Sequence, residues 1–203
     1  MRTAEFYFDF SSTNSYFAAF MLPEICARAG AAMRWIPLHS AALFRGTGFD
    51  VMAMTPRKAR YLWRDHARYS EATELAFRRP SRFPIKTALA LRCVLAAGHL
   101  NGGGDAGDRA RVAFSQAVFR SYWERDEDIA DREVLGELAA EAGIAADSML
   151  KQADSAQTRD ELHAITDEAV TRGVFGVPMV FVGDEMFWGK DRLDFVARWL
   201  SRA

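Results

Sequence analysis

The sequence predicts an α/β protein in which the two ends of the chain form one sheet domain and a large all-helical insertion lies between them. Three observations support this. Residues 1–45 carry strand, turn, helix and strand patterns, residues 46–157 are mainly helical in pattern, and residues 158–203 return to helix, hairpin and helix. A strand, a helix and a second strand in succession predict an α/β unit with a parallel strand pair.

The opening of the chain predicts the first unit of the sheet. Residues 5–10 form a short aromatic run that is typical of a buried strand. The polar residues 11–15 follow, and residues 16–29 have apolar side chains at helical spacing before Gly30. Residues 32–38 predict the second strand.

The middle of the chain predicts helices and two irregular segments. Pro80 and Pro84 mark a loop, and residues 100–108 hold four glycines, which predicts a flexible connection. Asp131 begins and Gly143 ends one amphipathic helix. The predicted helices span residues 57–71, 87–97, 109–123, 131–142 and 147–153.

The end of the chain predicts a helix at residues 159–172, then a hairpin of Met179–Val182 and Glu185–Trp188, then a helix at residues 191–200. Val177-Pro178 lies directly before the hairpin, where it is either an ordinary turn or a cis peptide bond. A strand, polar turn and helix at the start, combined with a Val-Pro before a hairpin and a closing helix, outline a thioredoxin fold.

Composition narrows the classes of function. The chain has 26 Lys and Arg against 27 Asp and Glu, so it lacks the basic excess of a dedicated nucleic-acid binder. Residues 57–92 nevertheless carry a net charge of +7 and residues 121–168 one of −10. These are either two solvated helix faces or, for the basic segment, a surface that faces an anionic small molecule.

The cysteines and the N-terminal residues indicate the compartment. Cys26 and Cys93 are far apart in apolar helical contexts, so we predict two free buried thiols, which suit a reducing environment. We recognise no secretory signal pattern and no run of eighteen apolar residues, so we expect a cytoplasmic protein without a membrane span.

The polar turn at residues 11–15 is the natural place for a ligand, because helix N-termini at the carboxyl ends of strands present free N–H groups. One polar residue would serve as the helix cap; five exceed that need. Other motifs are excluded by spacing. The glycines at 102–104 lack the Lys-Ser/Thr of a phosphate loop, and the four histidines lack metal-ligand spacing.

Long segments resemble one family. Residues 6–16 (Phe-Tyr-Phe-Asp-Phe-Ser-Ser-Thr-Asn-Ser-Tyr) resemble the opening of the 2-hydroxychromene-2-carboxylate isomerases and of their relatives, the kappa-class glutathione transferases. Residues 173–193 are similar to that family's C-terminal signature, and residues 56–61 and 82–84 resemble its insertion. The resemblance implies a DsbA-like thioredoxin fold, glutathione as cofactor and a homodimer.

The resemblance also implies residue roles. Ser12 matches the catalytic serine, which stands where disulfide oxidoreductases have their nucleophilic cysteine, and Ser15 matches their second cysteine. Arg45 and Phe83 lie where isomerase relatives contact substrate. The glutathione-binding positions that the resemblance implies are Ser12, Lys58, Val177, Pro178, Lys190, Asp191 and Arg192.

The chemistry of these residues is consistent with that assignment. A serine hydroxyl cannot form a disulfide, but it can donate a hydrogen bond to a bound thiolate. With a helix N-terminus behind it, such a site lowers a thiol pKa from about 8.5 toward neutrality. The nucleophile would then be the cofactor's sulfur. Asp191 suits an ammonium group, and Lys58 and Arg45 suit carboxylates.

The sequence departs from the family at four points. Thr13 replaces a proline, Lys190 replaces an uncharged polar residue, and Lys86 replaces an asparagine. Residues 48–52 are largely apolar where relatives offer an asparagine to the ligand. The last two departures concern the substrate more than glutathione.

We therefore expect a glutathione-dependent isomerase of 2-hydroxychromene-2-carboxylate type substrates, small aromatic carboxylates met in aromatic compound degradation. Two alternatives remain open. One is a kappa-like transferase or peroxidase that consumes glutathione, and the other is a non-catalytic binder of glutathione or a peptide. No metal is expected.

Overall fold

The computed structural model describes residues 2–47 and 54–202, and within them four strands form one mixed sheet with helices on both faces. The strands are β1 (Thr3–Phe8), β2 (Ala32–Pro37), β3 (Met179–Val182) and β4 (Glu185–Trp188). The helices are α1 (Thr13–Arg28), α2 (Ser40–Thr47), α3 (Pro56–Thr73), α4 (Ala88–Leu100), α5 (Gly104–Trp123), α6 (Arg132–Glu141), α7 (Ala146–Ala153), α8 (Ala156–Thr171) and α9 (Leu193–Leu200), the last preceded by a 3-10 turn (Lys190–Arg192).

The strand order β2-β1-β3-β4 confirms the predicted joining of the two chain ends. β1 and β2 are parallel, with Phe6 opposite Trp35, and β3 runs antiparallel to β1, with Tyr7 opposite Met179. The predicted hairpin is confirmed at the same residues, and Gly183 in its turn has φ of 63°, which favours glycine.

Alternation along β1 divides the core between the two faces of the sheet. Phe6 and Phe8 point to the face covered by α1, α5 and α9, in a large apolar cluster that continues into α4 and α6. Tyr7 points to the opposite face, in a smaller cluster with Phe181 and residues of α2 and α8. The sheet and the predicted insertion therefore share apolar packing, and the division at residues 46–157 stays a prediction.

The glycine-rich segment is mostly helical, so the predicted flexible connection is wrong for residues 104–108. α5 begins at Gly104, and only residues 101–103 link it to α4. Gly107 lies where α5 crosses α4, and a Cβ there would be 2.6 Å from the carbonyl oxygen of Gly98. The glycine allows close helix packing, which the local composition does not reveal.

Two glycine-to-alanine substitutions should have opposite effects on the free energy of unfolding. Gly107→Ala should lower the free energy of unfolding by about 2 kcal/mol, because the backbone of α4 cannot move away cheaply. Gly136→Ala, in the interior of α6 with only ordinary contacts at 3.8 Å, should raise it by up to about 1 kcal/mol through helix propensity. Urea denaturation of both variants measures the difference; equal effects would contradict the packing argument.

Helix α2 was not predicted. It is short, and its start depends on distant groups, because the Ser40 amide and hydroxyl donate to the carboxylate of Asp9 at 2.9 and 2.7 Å. A helix fixed in this way has little periodic pattern of its own to detect.

His66 is a buried histidine in α3, packed among Phe17, Trp63 and Phe77, and its Nδ1 has no hydrogen-bond partner in the described residues. Burial, followed by the positive charge of Lys190, lowers its pKa from 6.5 to about 4. Between pH 6.5 and about 4 the unfolded chain therefore binds a proton that the folded chain does not.

The expected result is a loss of about 3 kcal/mol of unfolding free energy as the pH falls from 6.5 to 4, with that contribution fully present above pH 6.5. His66→Leu should remove this part of the pH dependence. Chemical denaturation of both proteins at pH 7 and pH 4 tests it, and identical pH dependences would contradict it.

Candidate active site

Ser12 caps the N-terminus of α1 at the carboxyl end of β1. Its backbone is extended, with φ of −95° and ψ of 113°, and its Oγ accepts a hydrogen bond from the Ser15 amide at 3.1 Å. The same hydroxyl donates to the carbonyl oxygen of Val177 at 3.3 Å. A partly buried hydroxyl therefore lies at a helix N-terminus, where the partial positive charge favours an anion.

The strand order explains why Val177 reaches Ser12. β3 lies next to β1 and runs antiparallel to it, so the start of β3 meets the end of β1. Val177-Pro178 directly precedes β3, and its peptide bond is cis, which resolves the alternative left open by the sequence. In the part of the chain that the structure describes, the Val177 amide has no backbone acceptor. An extended peptide could therefore pair with this loop.

Asp9 fixes the turn that contains Ser12, and no role was predicted for it from the sequence. It is fully buried, and one of its oxygens accepts from the Ser11 amide and hydroxyl, both at 2.9 Å, while the other accepts from Ser40. Its carbonyl oxygen accepts from the Ser12 amide. One carboxylate thus ties the Ser12 turn to the start of α2. An Asp directly after a buried strand and before serines was the available signal.

The turn after β4 lies against the same loop. The Gly189 amide donates to the carbonyl oxygen of Pro178 at 3.0 Å, so the residues that follow are close to the Val177-Pro178 segment. Gly189 has φ of 97°, and a Cβ there would be 2.6 Å from Asp191 Oδ1. Asp191 pairs with Arg192 at 2.7 Å, and both side chains are exposed. The structure thus places the Lys190–Arg192 turn next to the Val177-Pro178 loop, which Ser12 contacts.

Lys190 differs from its neighbours because it is only 8% exposed. Its Nζ lies 4.0 Å from the centre of the Tyr69 ring on α3, a cation–π contact. Burial lowers the Lys190 pKa, and the nearby carboxylates of Asp65 and Asp191 act against that effect. The ammonium therefore packs against α3. The sequence does not reveal that Lys190 lies beside Tyr69 and His66.

The remaining predicted residues do not share a contact with Ser12. Lys58 is exposed in the first turn of α3. Phe83 is 39% exposed, and its ring meets Trp63 edge-on at 5.1 Å and lies 6.4 Å from Trp123. Arg45 is exposed on α2 and lines a cleft with residues of α4 and α8, none of which belong to the Ser12 turn. Residues 48–52 lie outside the described residues.

An exposed aromatic pair borders the Val177-Pro178 loop. Phe175 and Trp188 are 46% and 52% exposed, and their rings meet edge-on with centroids 5.2 Å apart. Trp188 lies across Gly176, where a Cβ would be 2.8 Å from the indole nitrogen. Large exposed aromatic side chains beside a site are candidates for contact with an apolar ligand.

The thiols of the chain cannot supply the chemistry of this site. Cys26 and Cys93 are free and buried, as predicted, and burial raises their pKa values to about 11 and 12. Ser15 occupies the position of a second cysteine and is itself buried, with no partner for its Oγ among the described residues. A reactive sulfur at Ser12 must therefore come from a ligand.

Among residues 2–47 and 54–202, no group of three or more His, Cys, Asp or Glu side chains could hold a metal ion. No helix in these ranges is both long enough and apolar enough to cross a membrane.

These features define a thioredoxin-type protein, in which a cis-proline loop of the sheet faces the start of α1. The model of the DSBA-like thioredoxin domain matches residues 3–201. The chain therefore belongs to the DSBA-like thioredoxin family.

Two curated relatives cover nearly the whole chain. The 2-hydroxychromene-2-carboxylate isomerase of Sphingobium xenophagum is 31% identical over 202 residues, which is 98% of each chain. The enzyme of the same name from Pseudomonas sp. (strain C18) is 29% identical over 93% of this chain and 85% of its own. Both relatives are named as isomerases, so this chain belongs with the 2-hydroxychromene-2-carboxylate isomerases and is an enzyme.

Solved structures support the fold. A 2-hydroxychromene-2-carboxylate isomerase superposes with a TM-score of 0.82 at 24% identity, covering 98% of this chain and 95% of that one. A probable DsbA oxidoreductase from Streptomyces coelicolor gives a TM-score of 0.78 at 20% identity, covering 99% and 89%. The predicted DsbA-like thioredoxin fold is confirmed.

Proposed function

We propose that this enzyme is a glutathione-dependent isomerase of 2-hydroxychromene-2-carboxylate type substrates in aromatic compound degradation. The observation that carries the proposal is the Ser12 hydroxyl, held at the start of α1 and directed at the Val177 carbonyl beside the cis proline. The full-length relatives that bear the isomerase name give it support.

The residues around Ser12 suit glutathione. The Val177 amide and carbonyl are the groups that an extended peptide needs for backbone pairing, as an added strand would. The exposed Asp191 carboxylate suits the ammonium of a γ-glutamyl group, and Arg192 and Lys58 suit carboxylates. Lys190 holds its ammonium against the Tyr69 ring, and its charge also interacts with the Asp191 carboxylate.

Ser12 acts as a stabiliser of a thiolate. Its Oγ accepts a hydrogen bond from the Ser15 amide, and its own proton points away from α1 toward the Val177 carbonyl oxygen. The hydroxyl can donate that proton to a bound sulfur instead. The free N–H groups of the first turn add a partial positive charge. Bound glutathione would supply a nucleophile that adds reversibly to the substrate and is regenerated, allowing the cis–trans change without consumption of thiol.

The rim of the site suits an aromatic substrate. Phe175 and Trp188 present an exposed apolar surface next to the Val177-Pro178 loop. On the predicted insertion, the partly exposed Phe83 ring, packed edge-on against Trp63, is a further candidate contact for the substrate. An anionic substrate also fits the basic stretch at residues 57–92.

The test is the spectroscopic conversion of 2-hydroxychromene-2-carboxylate by the purified enzyme with glutathione at far below the substrate concentration. We expect conversion that requires glutathione and leaves the total thiol unchanged. Thiol loss in proportion to product, with this substrate or with an aryl halide or hydroperoxide, would instead identify a transferase or peroxidase. No turnover by folded protein would overturn the proposal.

A further inference from the structure

A cleft with a volume of about 270 Å³ lies between α2, α4 and α8. Its walls combine cationic and neutral side chains. The lining residues that carry the argument are His39, Arg45, Arg92, Arg159, His163 and Thr166. We infer that this cleft is a binding site for a small dianion, such as phosphate or a short dicarboxylate, separate from the site at Ser12.

Charge is the first argument. The arginines of the cleft are only partly neutralised, because Asp154 is shared by Arg92 at 3.5 Å, Arg159 at 3.9 Å and a third arginine, Arg132, at 2.7 Å. Arg45 makes no ion pair in the described residues. The surroundings of the cleft therefore carry more positive than negative charge, which is the condition for focusing an anion.

Position is the second argument. The Arg92 side chain is only 17% exposed, and its Nε donates to the carbonyl oxygen of Ala153 at 2.7 Å, which fixes the guanidinium at the inner wall. Arg45, Arg159 and His163 are exposed and form the rim. A fixed inner cation with adjustable outer ones suits the charge-assisted hydrogen bonds that carboxylates and phosphates make with arginine.

His39 lies close to the same arginine side chains. It is partly buried beside Ser40, and burial lowers its pKa, with Arg45, His163 and Arg92 contributing in the same direction and Asp9 opposing them. These groups face it from the turn after β1 and from α2, α4 and α8. A dianion in the cleft would offset the positive charges around this imidazole.

Size limits the ligand. Pockets for drug-sized molecules have volumes of about 300–1,000 Å³, and this cleft is slightly smaller. Inorganic phosphate or a short dicarboxylate fits within this volume. None of Ser11, Ser12, Val177 or Pro178 lines the cleft, so this inference does not depend on the proposed isomerisation.

The test is calorimetric titration with inorganic phosphate in one arm and succinate in the other, both at constant ionic strength. We expect saturable binding of at least one probe with a stoichiometry near one. Arg45→Gln and Arg159→Gln should each weaken it about ten-fold. Arg109→Gln on α5 makes the same change of charge outside the cleft and should leave binding unchanged.

The histidines give an internal control by NMR. During the titration the ring signals of His39 and His163 should shift, while those of His66 and His99, which do not line the cleft, should stay in place. Ser12→Ala should bind the probe as the parent protein does. The inference is overturned if neither probe binds saturably, if Arg109→Gln weakens binding as much as the cleft variants, or if Ser12→Ala abolishes it. The tighter of the two probes distinguishes phosphate from dicarboxylate chemistry.

Discussion

Ser12→Ala is expected to lower kcat of the proposed isomerisation by about 10²–10³-fold, the usual effect of removing one positioned donor to a reactive anion. The hydroxyl is a side-chain donor at the start of α1, next to the free backbone N–H groups of the first turn. Without it, the pKa of a thiol bound there should rise, and less thiolate should be present at neutral pH.

The measurement combines turnover with the ultraviolet absorbance of the thiolate during a pH titration of the glutathione complex. Loss of the cap should also cost about 1 kcal/mol of unfolding free energy. Ser15→Ala is the matched control, because its Oγ is buried and has no partner in the described residues. Turnover within two-fold of the parent in Ser12→Ala, or an unchanged thiol pKa, would contradict the assigned role.

Asp9→Asn is expected to lower the free energy of unfolding by about 2–3 kcal/mol. The Asp9 carboxylate receives four hydrogen bonds in a fully buried place, two of them from backbone amides. An asparagine offers one acceptor oxygen and turns an amide N–H toward either the Ser11 or the Ser40 amide. One buried backbone donor is then left without an acceptor, and the penalty for that is large.

Urea denaturation with an unchanged m value measures this effect, and Asp160→Asn, an exposed carboxylate on α8, is the control for the loss of charge. Because Asp9 also positions the Ser12 turn, kcat should fall while the thiol pKa moves less than in Ser12→Ala. A change in unfolding free energy below about 0.5 kcal/mol would show that the network contributes little.

Some site features were predictable because they are local. The cap at Ser12 follows from the preference of serine for helix starts, and the absence of cysteines at positions 12 and 15 excludes disulfide exchange there. Predictions failed where local composition misleads. Glycines at 102–104 and 107 predict a loop. Gly107 instead lies inside α5, at the point where α4 passes too close for any side chain.

Sequence alone determined the succession of the strands and of the helices other than α2, the hairpin residues, the helix start at Ser12 and the need for an external sulfur. Periodicity, capping and residue chemistry act over a few positions, so these features can be predicted locally. Only the tertiary structure decided that Ser12 meets the carbonyl of a residue 165 positions away, that Asp9 binds Ser40, and that Lys190 packs on Tyr69. It also decided that Arg45 lines a separate cleft. These contacts depend on strand order and helix packing, which join residues that no local pattern connects.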